Sequence, residues 1–365
     1  MRDFIPQIEP WIDQLELKHL KEVIDSTYVT EHKMTERFES LITGLTNSDY
    51  AVSITNGTAA LFCCLKALDI GPGDEVIVPN ITFVASSNAV IMAGATPVFC
   101  EINDKNFCID VDKIEDVITD KTKAIMPVHL YGQSCDMDSI LDIALKNNLF
   151  IVEDAAQGVG VRYKRKHTGT FGHLGVLSFY GNKTITCGEG GVVLTNSKEL
   201  RDKVYQLKNH GRMKKGQFVH EAIGYNFAFT EMQAAVGVSQ LKKLAAIKDK
   251  KERIYKKYME LLKPVFNKLA PVWVDPDSSP VWWFTSFLTE ERESLEKYLL
   301  SFGIQTRKFF CPLHMQPCYD HMDFDRSKFE ISERVYSQGI SLPSAYNLTL
   351  EEQQYIIKKI LEFYK

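Results

Sequence analysis

The sequence predicts an α/β domain built on a mainly parallel sheet, followed by a smaller α+β unit. Between residues 50 and 200, short β-branched runs alternate with longer segments of helical period. Several of those runs, among them VIV, AIMPV and FIV, are apolar without alternation, as strands covered on both faces are. Short Gly/Pro loops such as GPGD at 71–74 punctuate the pattern. Alternation of this kind places helices on both sides of the sheet.

In chain order, the runs predict strands at 50–53, 75–78, 97–102, 124–128, 150–153, 177–179 and 192–195. Helices are predicted at 58–68, 86–93, 112–118, 137–146 and 198–207, then a long one over 230–262 that Pro264 breaks. The Pro-, Asp- and Ser-rich stretch 271–280 reads as a boundary element. Beyond it, VWWFTSFL, a helix at 290–301, IQTRKFF and a helix at 350–364 form the smaller unit. An amphipathic helix near 13–25 is expected to pack on that unit. The domains are therefore 30–262, and 263–365 with 1–29 laid against it; no internal repeat interrupts them.

The chain has 365 residues, more than one ordinary domain of roughly 150, and enough to bury a large core. A 45% hydrophobic and 25% charged composition excludes disordered and low-complexity classes. The net charge of −4 provides no general attraction for nucleic acid or anionic lipid, so neither is an expected partner. No apolar run approaches the roughly 18 residues of a membrane span, and the N-terminus lacks the pattern of a signal peptide. The eight scattered cysteines read as reduced thiols of a cytoplasmic protein.

Three segments bear chemistry. SITNGTAA at 53–60 runs from a strand end through a glycine into a helix, where backbone N–H groups favour phosphate; a plain N-cap also explains it. IVEDAAQ at 151–157 delivers Asp154 to the end of a buried strand with Gln157 on the next turn. SFYGNKTITCGEGG at 178–191 holds Lys183 in a glycine-flanked loop between two apolar strands, an unusual place for a lysine, where it can attack a carbonyl. GEGG is no dinucleotide fingerprint, having the wrong spacing and no helix after it. Cys311, His314, Cys318 and His321 have zinc-ligand chemistry, but only three residues separate the two pairs; no metal is expected. His210 reads as a residue compensating a helix C-terminus.

A phosphate cradle, a strand-end carboxylate and a lysine 29 positions later together describe a pyridoxal phosphate (PLP) site. That cofactor needs an anchor for its phosphate, a carboxylate to keep its ring nitrogen protonated, and an amine to carry it.

With these motifs, and with GPGDEVIVPNITFVASSNAV at 71–90, PVHLYGQSCDMD at 127–138 and GYNFAFTEMQAA at 224–235, the chain resembles the DegT/DnrJ/EryC1/StrS sugar aminotransferases over about residues 5–364. The likeness is greatest to the branch making perosamine and viosamine. It implies the fold-type I architecture, a mainly parallel seven-stranded sheet flanked by helices. It also implies a homodimer with composite sites. The implied activity is PLP-dependent transfer of an amino group from L-glutamate to C4 of a nucleotide-linked 4-keto-6-deoxyhexose.

By the same resemblance, Lys183 would hold the cofactor covalently and Asp154 would pair with its ring nitrogen. Gln157 would bond its phenolic oxygen, and Phe83 would stack on its ring. Gly57, Thr58 and Ser178 would hold the phosphate, with Asn226 reaching it from the neighbouring subunit. His314 falls in a stretch that lines the substrate site in relatives. Three departures stand out: Cys187 in place of Thr, Ala228 in place of Arg, and a missing glycine in DSTYVTEHKMTERFE. Family members with His for the lysine do other chemistry; Lys183 favours transamination. A PLP-dependent sugar dehydratase or lyase on the same scaffold, and a non-enzymatic PLP or nucleotide-sugar binding regulator, are the alternatives.

Overall fold

A computed structural model describes residues 2–214, 216, 218–322 and 324–365. Its centre is a seven-stranded sheet of β1 (Tyr50–Ile54), β2 (Glu75–Pro79), β3 (Thr96–Cys100), β4 (Thr122–Ile125), β5 (Phe150–Asp154), β6 (Leu174–Ser178) and β7 (Gly191–Thr195). The spatial order is β1-β7-β6-β5-β4-β2-β3. Strands β6, β5, β4, β2 and β3 run parallel, and β7 lies antiparallel between β6 and β1. Because β6 and β7 form an antiparallel pair, the loop 179–190 joins them at one edge of the sheet; a parallel pair needs a crossover that returns the chain to the opposite edge.

The strands are apolar on both faces because both are covered. Val76, Ile77 and Val78 are all fully buried, as are Val192, Val193 and Leu194. The predicted strands at 124–128 and 177–179 are each shifted. β4 begins at Thr122 and stops before Pro127, which has no N–H for a ladder. β6 begins at Leu174, its first residues being hidden by two glycines, and Phe179 already belongs to the loop, donating to the Gly190 carbonyl at 2.9 Å.

A four-stranded antiparallel sheet forms the smaller unit, from Ala270–Pro271, Thr285–Leu288, Gly339–Leu342 and Arg307–Lys308. Helices Arg292–Ser301 and Leu350–Phe363 pack on it around Phe287, Leu295, Ile340 and Ile356. The long helix, Glu231–Leu261, serves both units. Its start is closed by a Thr230/Gln233 capping box, and its Ala234, Val238 and Leu244 join Phe38, Phe179 and Val192. Its Ile254 and Tyr258 join the smaller core. Residue 262 is the C-cap of this shared helix.

The first helix, Gln14–Ser26, does not lie on the smaller unit as expected; it packs on the long helix. His19 Nδ1 lies 2.6 Å from Ser239 Oγ, and Lys243 donates to Glu16 at 2.7 Å. Its buried face is Glu16, His19 and Val23, so its contacts are largely polar and its hydrophobic pattern could not name its neighbour. Residues 2–9 do reach the smaller unit, through Ile5 beside Ile304 and Arg2 on Glu352. Helices Lys33–Thr46 and Glu330–Gln338 were not predicted. Within the 271–280 boundary stretch, Ser278–Ser279 pairs back onto Arg162–Tyr163. Among the described residues, no helix is long and apolar enough to cross a membrane.

Candidate active site

β1, β2, β5 and β6 all point their carboxyl ends to the same edge of the sheet, where ligands of open α/β sheets sit. A cavity of about 720 Å³ opens there. Gly57, Thr58, Phe83, Asp154, Gln157, Ser178 and Lys183 all line it. Seven of the nine predicted site residues, spread from Gly57 to Lys183, thus share one wall system.

At the cradle, Asn56 caps helix Gly57–Ala67, its Oδ1 accepting from Ala59 N–H at 2.9 Å. The N–H groups of the first turn face a site that an anion can occupy. A Cβ on Gly57 would stand 3.2 Å from Ser178 Cβ, which brings the Ser178 hydroxyl to the same turn. A Cβ on Gly191 would stand 2.5 Å from the Asn56 carbonyl oxygen, so only glycine lets β7 pass behind the cradle.

Asp154 is 4% exposed and held by its own neighbours. One carboxylate oxygen accepts from Ser86 Oγ at 2.7 Å, the other from Ala156 N–H at 3.1 Å. The adjacent Glu153 is a structural anchor, accepting from Gly169, Phe171 and Gly172 N–H groups and facing His129 Nε2 at 3.0 Å. Gln157 Oε1 accepts from Tyr131 N–H at 2.7 Å, which leaves the amide nitrogen as the donor toward the cavity.

Lys183 stands opposite. Its N–H donates to the Tyr180 carbonyl at 2.9 Å, and its Nζ lies 4.4 Å from the centre of the Trp283 ring. Burial draws the ammonium down to about 8, the Asp154 carboxylate pulling the other way and the Arg307 charge adding to the fall. An amine in this range can be both proton acceptor and, once protonated, donor near neutral pH.

The donor set fits pyridoxal phosphate. The cavity offers anion-binding N–H groups at one end and a buried carboxylate in its wall. It also offers an amide donor with no acceptor among the described residues, an aromatic face at Phe83 (54% exposed) and an amine of lowered basicity.

The remaining two predicted residues lie outside this cavity. Asn226 is exposed and its backbone bridges Asn209. His314 is fully buried: its N–H donates to Asn80 Oδ1 at 3.1 Å, Nδ1 meets Asn80 Nδ2 at 2.7 Å, and Nε2 meets Glu333 at 3.1 Å. Its ring stacks on Phe329, so it pins the 311–315 loop to the end of β2 and turns no face to the cavity. Among the described residues, no three His, Cys, Asp or Glu side chains gather as metal ligands, and Cys311, His314, Cys318 and His321 form no such group. Cys187 is buried, its sulfur 2.8 Å from where a Cβ of Gly237 would lie.

Sequence reasoning missed Trp283, Arg307 and Ser86. Trp283 and Arg307 reach the cavity from the smaller unit. Arg307 lies 5.1 Å over Phe284 and has no carboxylate partner among the described residues. Nothing in VWWFTSFL or IQTRKFF, read alone, distinguishes them from strand residues.

The sequence pattern described as the DegT/DnrJ/EryC1/StrS aminotransferase family matches residues 10–361. GDP-perosamine synthase of Escherichia coli O157:H7 is 40% identical over 366 residues, covering 99% of both chains. The crystal structure of S. venezuelae DesV in complex with a ketimine intermediate superposes with a TM-score of 0.93 at 33% identity, covering 99% of each chain. NtdA from Bacillus subtilis, with the cofactor PMP bound, superposes with a TM-score of 0.88 at 31% identity, covering 96% of this chain and 81% of that one.

Proposed function

The chain belongs to the DegT/DnrJ/EryC1/StrS aminotransferase family, and from that membership we propose which reaction its cavity performs. It is a pyridoxal 5′-phosphate-dependent nucleotide-sugar aminotransferase. Its substrates are L-glutamate and a nucleotide-linked 4-keto-6-deoxyhexose, and its product is the 4-amino-4,6-dideoxy sugar, of perosamine or viosamine type, destined for a glycan. The observation that carries the reading is the placing of Lys183 and Asp154 on one cavity with the cradle at Gly57 and Thr58.

When bound, pyridoxal phosphate supplies the electron sink for a carbanion and the carbon that carries nitrogen from one substrate to the other. The chain supplies the rest. Thr58, Ser178 and the first-turn N–H groups hold the phosphate. Asp154, fixed by Ser86 and Ala156, keeps a proton on the ring nitrogen by opposite charge. Gln157 donates to the phenolic oxygen, and Phe83 covers the ring. Lys183 Nζ would take the proton from the donor's Cα and pass it to the cofactor carbon that bears the nitrogen, and would run the same shift in reverse for the keto sugar. General acid–base action of this kind is worth about 10²–10⁴-fold. Arg307, a cation with no carboxylate partner among the described residues, receives a carboxylate of glutamate.

The active form is a homodimer in this proposal, Asn226 reaching the phosphate of the partner's site. A cytoplasmic location belongs to the same reading, because glutamate and nucleotide sugars are made there. The test offers the purified protein glutamate and a panel of GDP-, dTDP- and UDP-linked 4-keto-6-deoxyhexoses, with mass readout. Amino sugar formed in step with 2-oxoglutarate supports the reading. Sugar dehydration without glutamate consumption would show a lyase, and binding without either would show a regulator.

A further inference from the structure

Trp283 is nearly fully buried, yet none of its contacts is incidental. Its indole Nε1 donates to the carbonyl of Asn182 at 2.7 Å, one residue before Lys183. Its backbone carbonyl accepts from Lys251 Nζ at 3.1 Å, and that same amine donates to the Ser344 carbonyl at 3.0 Å. Its ring is stacked against Phe284, with centroids 3.9 Å apart. The indole is thus locked from the long helix, from the smaller unit and from the loop that carries Lys183. Its open face is turned to the Lys183 amine at 4.4 Å.

An aromatic face attracts a cation and not a neutral amine, and the attraction is strongest where water is excluded. We propose that Trp283 is the docking platform for the protonated Lys183 amine, holding the proton-bearing Nζ in place while a proton passes between the substrate carbon and the cofactor carbon that carries the nitrogen. The inference rests on the reading of Lys183 as the reacting amine. It adds a positioning residue that lies outside the cradle, the carboxylate and the lysine loop.

The charged groups facing that amine are Asp154 from β5 and Arg307 from the small sheet, with Glu189 further along the same cavity, Tyr180 on the amine's own loop and Lys251 behind the indole. Asp154 favours the charged amine; burial and Arg307 oppose it. The indole face adds to the side of Asp154. Removing it therefore lowers the basicity of Lys183, whereas merely loosening the site would admit water and raise it.

The experiment uses the full-length protein freed of cofactor by dialysis and mixes it with pyridoxal phosphate from pH 6 to 10. The rate at which the visible band of the covalently held cofactor appears is recorded at each pH. Capture requires the neutral amine, since Nζ bonds to the aldehyde carbon and water leaves, so the midpoint of the profile reports Lys183. For the wild type the expected midpoint is near the value of about 8. Trp283→Leu is expected to move it down by about one unit, and Trp283→Phe, which keeps a face and the fold, by less. A midpoint that stays or rises in both variants overturns the platform while leaving the cofactor reading intact. A wild type that forms no band at any pH overturns the cofactor reading itself.

Discussion

Asp154 and Lys183 are held on adjacent strands: the carboxylate closes β5, and the amine lies in the loop that leaves β6, its parallel neighbour. They face one cavity because parallel strands present equivalent ends to the same edge. This is why two residues 29 positions apart can act on opposite parts of one planar ligand.

Asp154→Asn retains an acceptor for Ser86 but loses the charge, and an amide oxygen cannot hold a proton on the ring nitrogen by charge attraction. The variant is expected to bind pyridoxal phosphate and to turn over at least 10²-fold more slowly, measured as amino sugar formed per site. Turnover within a few-fold of wild type would remove Asp154 from its assigned role.

Asn226→Ala is expected to lower cofactor retention without changing the wall of its own chain's cavity, since Asn226 lies outside it. Dialysis followed by absorbance gives the retained fraction, and sedimentation gives the oligomer. An active, PLP-saturated monomer would contradict the composite site.

Lys251 tests the physics of the wall. Burial draws its amine down to about 7, against an ordinary value of 10.5 in the unfolded chain. Between those values the unfolded chain binds the extra proton, so the wild type gains stability as pH rises through that window. Lys251→Met lacks this dependence. Denaturant unfolding of both proteins should show the wild type gaining on the variant by about 1.4 kcal/mol per pH unit from 7 to 10. A constant difference would mean that Lys251 is solvated.

The sheet and most of the residues that line the cavity were legible because their signals are local. Strands such as Glu75–Pro79 announce themselves by unbroken apolar runs, Asp154 by ending one, and Lys183 by standing among glycines. What could not be read depends on distant pairing. Arg307 and Trp283 are ordinary strand-region residues until the smaller unit folds over the cavity. The neighbour of helix Gln14–Ser26 was hidden because Glu16 and His19 make its contacts. His314 looked chemical in sequence, and Asn80 and Glu333 consume its polar atoms.

The most direct test is to treat the purified protein with borohydride, digest it and locate the reduced pyridoxyl group by mass spectrometry. The group is predicted on the peptide containing Lys183, one per chain. Its appearance on another lysine, or on none after pyridoxal phosphate has been supplied, would contradict the assignment of the reacting amine.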